Sequence, residues 1–258
     1  ITDDGIESIK PFPNTVARPC VFEFIYFARP DSIVGGLSVY ECRKAFGRQL
    51  AKECSTKADI VIPVPDSGVP SALGFAEASG IPFELGIIRN HYVGRTFIEP
   101  QQSIRALSVK LKHNANKSLV NGKKVILIDD SIVRGTTSIK IVQMMRDAGA
   151  TEVHMMIASP PIIYPDYYGI DTPVKEQLLA ANNSSDEICS FIGADSVLFL
   201  SVDGLYKAMG HPDGRNDLAP AFTDHCFTGD YPTKLTDKMS KDGIRQLSLL
   251  SELNKELE

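Results

Sequence analysis

The chain has 258 residues and a formal net charge of −5, with 27 basic against 32 acidic side chains, room for one large domain or two small ones. Hydrophobic residues make up 43% and charged residues 23%, a packed-protein balance that excludes a mainly disordered chain; no apolar run approaches the ~18 residues that span a bilayer, and the acidic balance argues against a broad nucleic-acid footprint. Five scattered cysteines (Cys20, Cys42, Cys54, Cys189 and Cys226), odd in number and without a C-x-x-C pair, fit neither a disulfide framework nor a compact zinc site and point to reduced thiols in the cytosol.

Residues 1–19 are polar and carry Pro11, Pro13 and Pro19, which reads as a linker or surface arm. The chain opens on Ile1 without an initiator Met or a signal-peptide pattern, as a piece of something longer does. Cys20–Phe27 is aromatic and β-branched, the composition of a strand. Val39, Cys42, Ala45, Phe46 and Leu50 recur at helical spacing and predict a helix from about Ser38 to Cys54. Asp59–Pro65 reads as a short buried strand, Pro70–Ala78 as a small-residue helix closed by Gly80, and Phe83–Ile88 as another strand. Arg89 to Gly122 is long, polar and basic, with no regular period. Lys124–Ile128 is the cleanest strand pattern; it leads through Asp129-Asp130 and a loop into a helix over Thr136–Asp147, stopped by Gly149. Glu152–Ala158 and Val197–Leu200 follow as strands. From Val202 the pattern loosens into a Gly-, Pro- and Asp-rich stretch, Gly210–Asp230, and a charged helical end, Ser240–Glu258. Strands alternating with helices predict an α/β fold, a central mostly parallel sheet flanked by helices, with ligands bound beyond the carboxyl ends of the strands.

The chemistry concentrates in Val125 to Ser138. A buried strand delivers two adjacent carboxylates, Asp129 and Asp130, and a short loop carries Arg134, Gly135, Thr136, Thr137 and Ser138 into a helix N-terminus. Free backbone N–H groups, the positive end of the helix dipole and several hydroxyls together make a phosphate cup, and Gly135 permits close approach or a positive φ. Two carboxylates suit sugar hydroxyls or a divalent cation rather than a phosphate. A ligand with a phosphate at one end and a vicinal diol a few ångströms away fits, as ribose 5-phosphate does. The plainer reading, a solvated Asp-Asp turn before an ordinary N-cap, suits either half alone but not the whole arrangement behind a strand.

This segment resembles the phosphoribosyl pyrophosphate (PRPP) signature of type I phosphoribosyltransferases, and the likeness continues outside it. Pro19–Ser32, Val64-Pro65-Asp66-Ser67-Gly68 and Tyr92-Val93-Gly94-Arg95-Thr96-Phe97-Ile98 are similar to the amidophosphoribosyltransferase family, from about Pro19 to Asp171 and more weakly to Tyr231. The resemblance implies transfer of ammonia to C1 of PRPP, releasing pyrophosphate, as the first committed step of purine synthesis. It implies that Asp66, Ser67 and Gly68 form the pyrophosphate loop, which in relatives carries a non-proline cis peptide. Asp129 and Asp130 would meet the ribose hydroxyls and, with Ser67, a Mg²⁺ ion; Arg134, Gly135, Thr136, Thr137 and Ser138 would hold the 5′-phosphate. The stretch from Arg89 to Lys112 matches a flexible catalytic loop, with Arg89, Tyr92 and Arg95 as its foremost residues and His91, Arg105, Lys110 and Lys112 beside them. On this reading residues 20–201 form the phosphoribosyltransferase domain, 202–258 a C-terminal loop and helical extension packed on it, and 1–19 the arm from a glutaminase domain that is missing.

Complete members begin with that glutaminase domain, and nothing here matches it, so the chain alone is expected to use free ammonia. Some members carry a [4Fe–4S] cluster on four cysteines. Only Cys20 and Cys226 occupy such positions here, Asp166 and Thr223 standing at the other two, and two thiolates do not hold a cubane. The resemblance further implies feedback inhibition by purine nucleotides and a homo-oligomer in the cytoplasm, with neither nucleic-acid nor membrane partners. Two other readings compete. A PRPP-sensing regulator would share the signature without turnover, but Tyr92–Phe97 and the lack of a DNA-binding module favour the enzyme. A generic nucleotide-binding domain is disfavoured because neither G-x-x-x-x-G-K-[ST] nor G-x-G-x-x-G occurs.

Overall fold

Four short, apolar strands lie side by side in chain order, all parallel: β1 (Ile60–Pro63), β2 (Lys124–Asp129), β3 (Glu152–Ile157) and β4 (Ser196–Phe199). The computed structural model describes residues 5, 6, 8, 16–90, 113–170, 172, 174–233 and 235. β2 is the central rung, with Ile60 opposite Val125 on one side and Asp129 opposite Ile157 on the other. Its residues after Lys124 are all buried, the mark of a parallel strand covered on both faces.

Alternate residues serve opposite faces. Val61, Ile126, Ile128 and Met156 pack with α1 (Val39–Glu53), α2 (Val69–Ser79) and, further along the chain, α5 (Val202–Ala208). Ile60, Ile62, Val125, Leu127, Met155 and Ile157 pack instead with α3 (Thr136–Asp147) and α4 (Ser185–Ile192). Each large apolar side chain fully buried in these layers contributes about 1.5–3 kcal/mol. The helix ends follow local chemistry: Ser38 accepts from Glu41 N at the start of α1, Pro70 lies in the first turn of α2, Gly80 closes it, and Ser184 with Glu187 forms a capping box on α4.

Two expected strands are different in the structure. Within Cys20–Phe27 only Cys20 forms a bridge, to Thr223, and Glu23–Phe27 is a single π-helical turn. Val21, Phe22, Phe24 and Ile25 are buried while Tyr26 and Phe27 are exposed, so the apolar spacing is helical even though the residue types favour strands. Phe83–Ile88 pairs with β1 only through the bridge Val61–Phe83. Pro82 offers no N–H, and Gly86 lies so close to Ile62 that a Cβ there would overlap its side chain; the segment then turns away, and Ile87–Arg89 pairs antiparallel with His113–Ala115. Ser240–Glu258 lies outside the described residues.

The beginning and end of the described chain share the α1 face. Val21, Phe22, Phe24 and Ile25 pack with Leu205, Tyr206, Phe222 and Phe227. Val21 N donates to Thr223 O (3.0 Å) and Thr223 N to Pro19 O (2.9 Å). Beside them Asp224, wholly buried, accepts from Arg215 Nε (2.7 Å), Tyr206 OH (2.7 Å) and Thr228 Oγ1 (3.0 Å), while Arg215 and Arg18 both reach Asp230.

Candidate functional site

The site is assembled at the carboxyl ends of β1 and β2. Asp129 closes β2 and Asp130 follows it, with only 9% and 7% of their surfaces exposed. Asp130 N donates to the Asp129 carboxylate (3.0 Å), and the Ser131 hydroxyl donates to that of Asp130 (2.6 Å). Burial, then the neighbouring Asp130 charge, pushes Asp129 well above the usual carboxylate range. Burial raises Asp130 too, opposed by hydrogen bonds with Ser131 and Ser67 and by the charge of Arg43. A pair of buried acids so short of positive charge is a place for a cation or for donating hydroxyls.

Arg43 was not among the expected site residues. It is 3% exposed on α1, donates to Phe24 O (2.9 Å) and Ala28 O (2.8 Å), and its field reaches Asp130. One signal could have found it: an arginine inside the stripe Val39, Cys42, Phe46, Leu50 has to be buried with partners.

Asp66, Ser67 and Gly68 turn from β1 into α2. The Pro65–Asp66 peptide is cis. Ser67 lies near enough to Asp130 for its hydroxyl to help hold that carboxyl down, so the two loops come together. Gly68 N donates to Val64 O (3.0 Å), and its Cα lies so near Ile128 O that any Cβ would overlap it. The exposed Asp66 carboxylate is paired with Arg89, at the end of the short Ile87–Arg89 strand. Residues 91–112, which include His91, Tyr92, Arg95, Arg105, Lys110 and Lys112, lie outside the described residues.

Gly135 stands at φ +74°, the left-handed conformation that turns the loop into α3. Thr136 and Thr137 are exposed at the helix start, whereas Ser138 is 3% exposed and faces inward. The exposed Arg134 donates from Nε (3.1 Å) and Nη2 (2.8 Å) to the Gln177 side-chain oxygen, a residue 43 positions away that no local pattern marks. Phe22, with Tyr26 and Phe27 from the π-turn, borders a cavity of about 350 Å³ beside Ser131, Val133 and Arg134.

Oxygen donors at Asp129, Asp130 and Ser67 suit Mg²⁺, which takes one or two carboxylates plus ligand phosphates rather than an all-protein cage. The positions expected from a cluster-bearing relative do converge, Cys20 bridging Thr223 near Asp166 and Cys226. They do not fit an iron–sulfur cluster. Asp166 Oδ1 accepts three backbone N–H groups, from Tyr168, Gly169 and Ile170, its Oδ2 lies 2.6 Å from His225 Nε2, and burial raises the Cys226 thiol far above its ordinary value.

A parallel sheet carrying paired acids at one strand end and a left-handed glycine before the next helix is the arrangement of a type I phosphoribosyltransferase domain, and residues 37–159 match the phosphoribosyl transferase domain family. The chain is 60% identical over 255 residues to an amidophosphoribosyltransferase of Rhizobium etli, covering 97% of this chain and 51% of the relative, and 49% identical over 235 residues to that of Bacillus subtilis, covering 91% and 49%. The solved structure of the B. subtilis glutamine PRPP amidotransferase complexed with ADP and GMP superposes with a TM-score of 0.80 at 48% identity, covering 95% of this chain and 52% of that one. The chain belongs to the amidophosphoribosyltransferase family, and it spans about half the length of the curated relatives it matches.

Proposed function

We propose that this chain binds PRPP and joins ammonia to its C1, giving 5-phosphoribosylamine and pyrophosphate, the step that opens purine synthesis. The observation that carries the reading is the buried Asp129–Asp130 pair set between the Asp66–Gly68 loop and the N-terminus of α3. One end of PRPP would rest on Gly135, Thr136 and Thr137, its ribose hydroxyls would donate to the paired carboxylates, and the pyrophosphate would lie on the amides of Asp66, Ser67 and Gly68. Held so, the C1–O bond breaks with its electron pair leaving on pyrophosphate. The ammonia lone pair then forms the C1–N bond, and a proton departs to solvent. Neutral ammonia is already nucleophilic, so positioning and charge stabilisation do most of the work.

Ser67, Asp129 and Asp130 are the residues that would hold Mg²⁺, which when bound offsets charge on the departing pyrophosphate. Arg89, with Tyr92 and Arg95 of the following segment, would close over the pyrophosphate and exclude water. Ammonia would come from a glutaminase domain of the same polypeptide. Purine nucleotides would inhibit, a reading supported by the ADP and GMP in the B. subtilis relative's structure. A cytoplasmic homo-oligomer is the expected setting, and no described helix is long and apolar enough to cross a membrane.

The test is to incubate the protein with PRPP, Mg²⁺ and ammonium chloride and measure pyrophosphate. Release that needs all three supports the enzyme. PRPP binding without release would replace it with a PRPP-sensing regulator.

A further inference from the structure

We infer that Gln177 is a positioning residue that holds the Arg134 guanidinium, charged and aimed, for an anionic phosphate. This rests on the reading of the Arg134–Ser138 loop as a phosphate site. Arg134 spends two of its five N–H donors, Nε at 3.1 Å and Nη2 at 2.8 Å, on the single oxygen Oε1 of Gln177. An amide oxygen fixes the plane of the guanidinium without cancelling its charge, and it leaves three donors for a ligand. A carboxylate in that place would grip harder and neutralise the cation.

Gln177 is itself held. It ends the 3₁₀ turn Lys175–Gln177, and the Asn182 Nδ2 amide, with its two hydrogens, lies within hydrogen-bond reach of two carbonyls of that turn, Lys175 O (3.2 Å) and Glu176 O (3.2 Å), and of Leu178 O just after it (2.9 Å). The turn is anchored to the loop by a backbone bond from Leu179 N to Val133 O (2.8 Å), and the side chains of Leu179 and Phe191 press against Gly135. The chain from Lys175 to Asn182 is thus a brace beneath the loop, and Gln177 is the part of it that reaches a charged group. An exposed Gln–Arg pair adds little to fold stability, so its effect belongs to binding.

The experiment compares wild type, Q177A, Q177E, R134A and the R134A/Q177A double variant for ammonia-dependent pyrophosphate release across PRPP concentrations. Q177A is expected to raise KM for PRPP about three- to tenfold, the size of about one ordinary hydrogen bond, with kcat changed less than about twofold. R134A is expected to raise KM at least as much, and Q177A to add nothing in the R134A background. Q177E is expected to raise KM although it keeps the contact, because it neutralises the cation. An unchanged KM in Q177A, fold-changes that multiply in the double variant, or a Q177E that binds PRPP as wild type does would overturn the inference while the enzyme reading stands. A wild type that releases no pyrophosphate would overturn the inference together with the reading beneath it.

Discussion

Arg89, the last residue of the Ile87–Arg89 strand, pairs its guanidinium with the carboxylate of Asp66 across the mouth of the loop that follows β1. On the proposed reading Arg89 would serve pyrophosphate, and in the structure its guanidinium is matched by the Asp66 carboxylate. Asp66 can then serve a polyanion through its backbone N–H, while its side chain competes for Arg89. Asp66→Asn is expected to tighten Mg²⁺-pyrophosphate binding about threefold, and Arg89→Ala to weaken it about tenfold. Calorimetric titration decides; weaker binding in Asp66→Asn would show the carboxylate to be a partner of the ligand rather than its competitor.

The paired acids give the sharpest functional expectation. Asp129→Asn and Asp130→Asn each remove one charge from the place where ribose hydroxyls and Mg²⁺ would meet, leaving shape and burial nearly unchanged. Each should lower PRPP-dependent pyrophosphate release by about a hundredfold or more. Steady-state kinetics checks it, and unchanged rates in both variants would remove these residues from the mechanism.

The same burial makes a thermodynamic prediction. Asp129 titrates near 3.9 in an unfolded chain, and burial first, then the Asp130 charge, lifts it well above that in the fold. The folded state therefore keeps its proton to higher pH than the unfolded state does. Stability from this group is intact below about pH 4 and falls as pH rises through the folded-state value. Melting temperatures in EDTA from pH 4 to 8 should show Asp129→Asn gaining on wild type as pH rises. A gap that stays constant across that range would mean that Asp129 is ionised at little cost in the fold.

Asp224 behaves in the opposite sense. Burial works to raise it, but Arg215, Tyr206 and Thr228 together hold it below the usual carboxylate range. Its contribution is present above the unfolded-state value and is lost as pH falls through the folded one. Arg215→Met would strand a wholly buried carboxylate, at a cost of about 3–5 kcal/mol. Urea unfolding at pH 7 measures it, with Arg215→Met/Asp224→Asn expected to recover part of the loss.

Legibility in the sequence tracked the range of the interactions. Lys124 to Gly149 could be read almost to the residue, because strand period, paired acids, turn glycine and helix stop are neighbours along the chain. Cys20–Phe27 misled because its residue types favour strands while its spacing is helical, and the spacing prevailed once α1 and Phe222 supplied a surface to pack on. Arg43 left a faint trace, a cation inside an apolar stripe. Gln177 left none, since its role exists only through an arginine 43 positions earlier. Ser138 lay in the readable motif yet turns inward, a matter of helix phase that the motif does not encode.

The seam between Arg18–Val21 and Thr223–Asp230 has a consequence for how the molecule opens. Pro19 and Thr223 are partners through the backbone, and Arg18 meets Asp230 (2.9 Å), so neither margin can peel away alone without baring the Phe22–Phe227 ring stack. This seam is therefore expected to open as one cooperative unit rather than to fray from either side. The amides of Val21 and Thr223 should exchange with solvent deuterium at a common slow rate, set by the loss of the whole α1 layer.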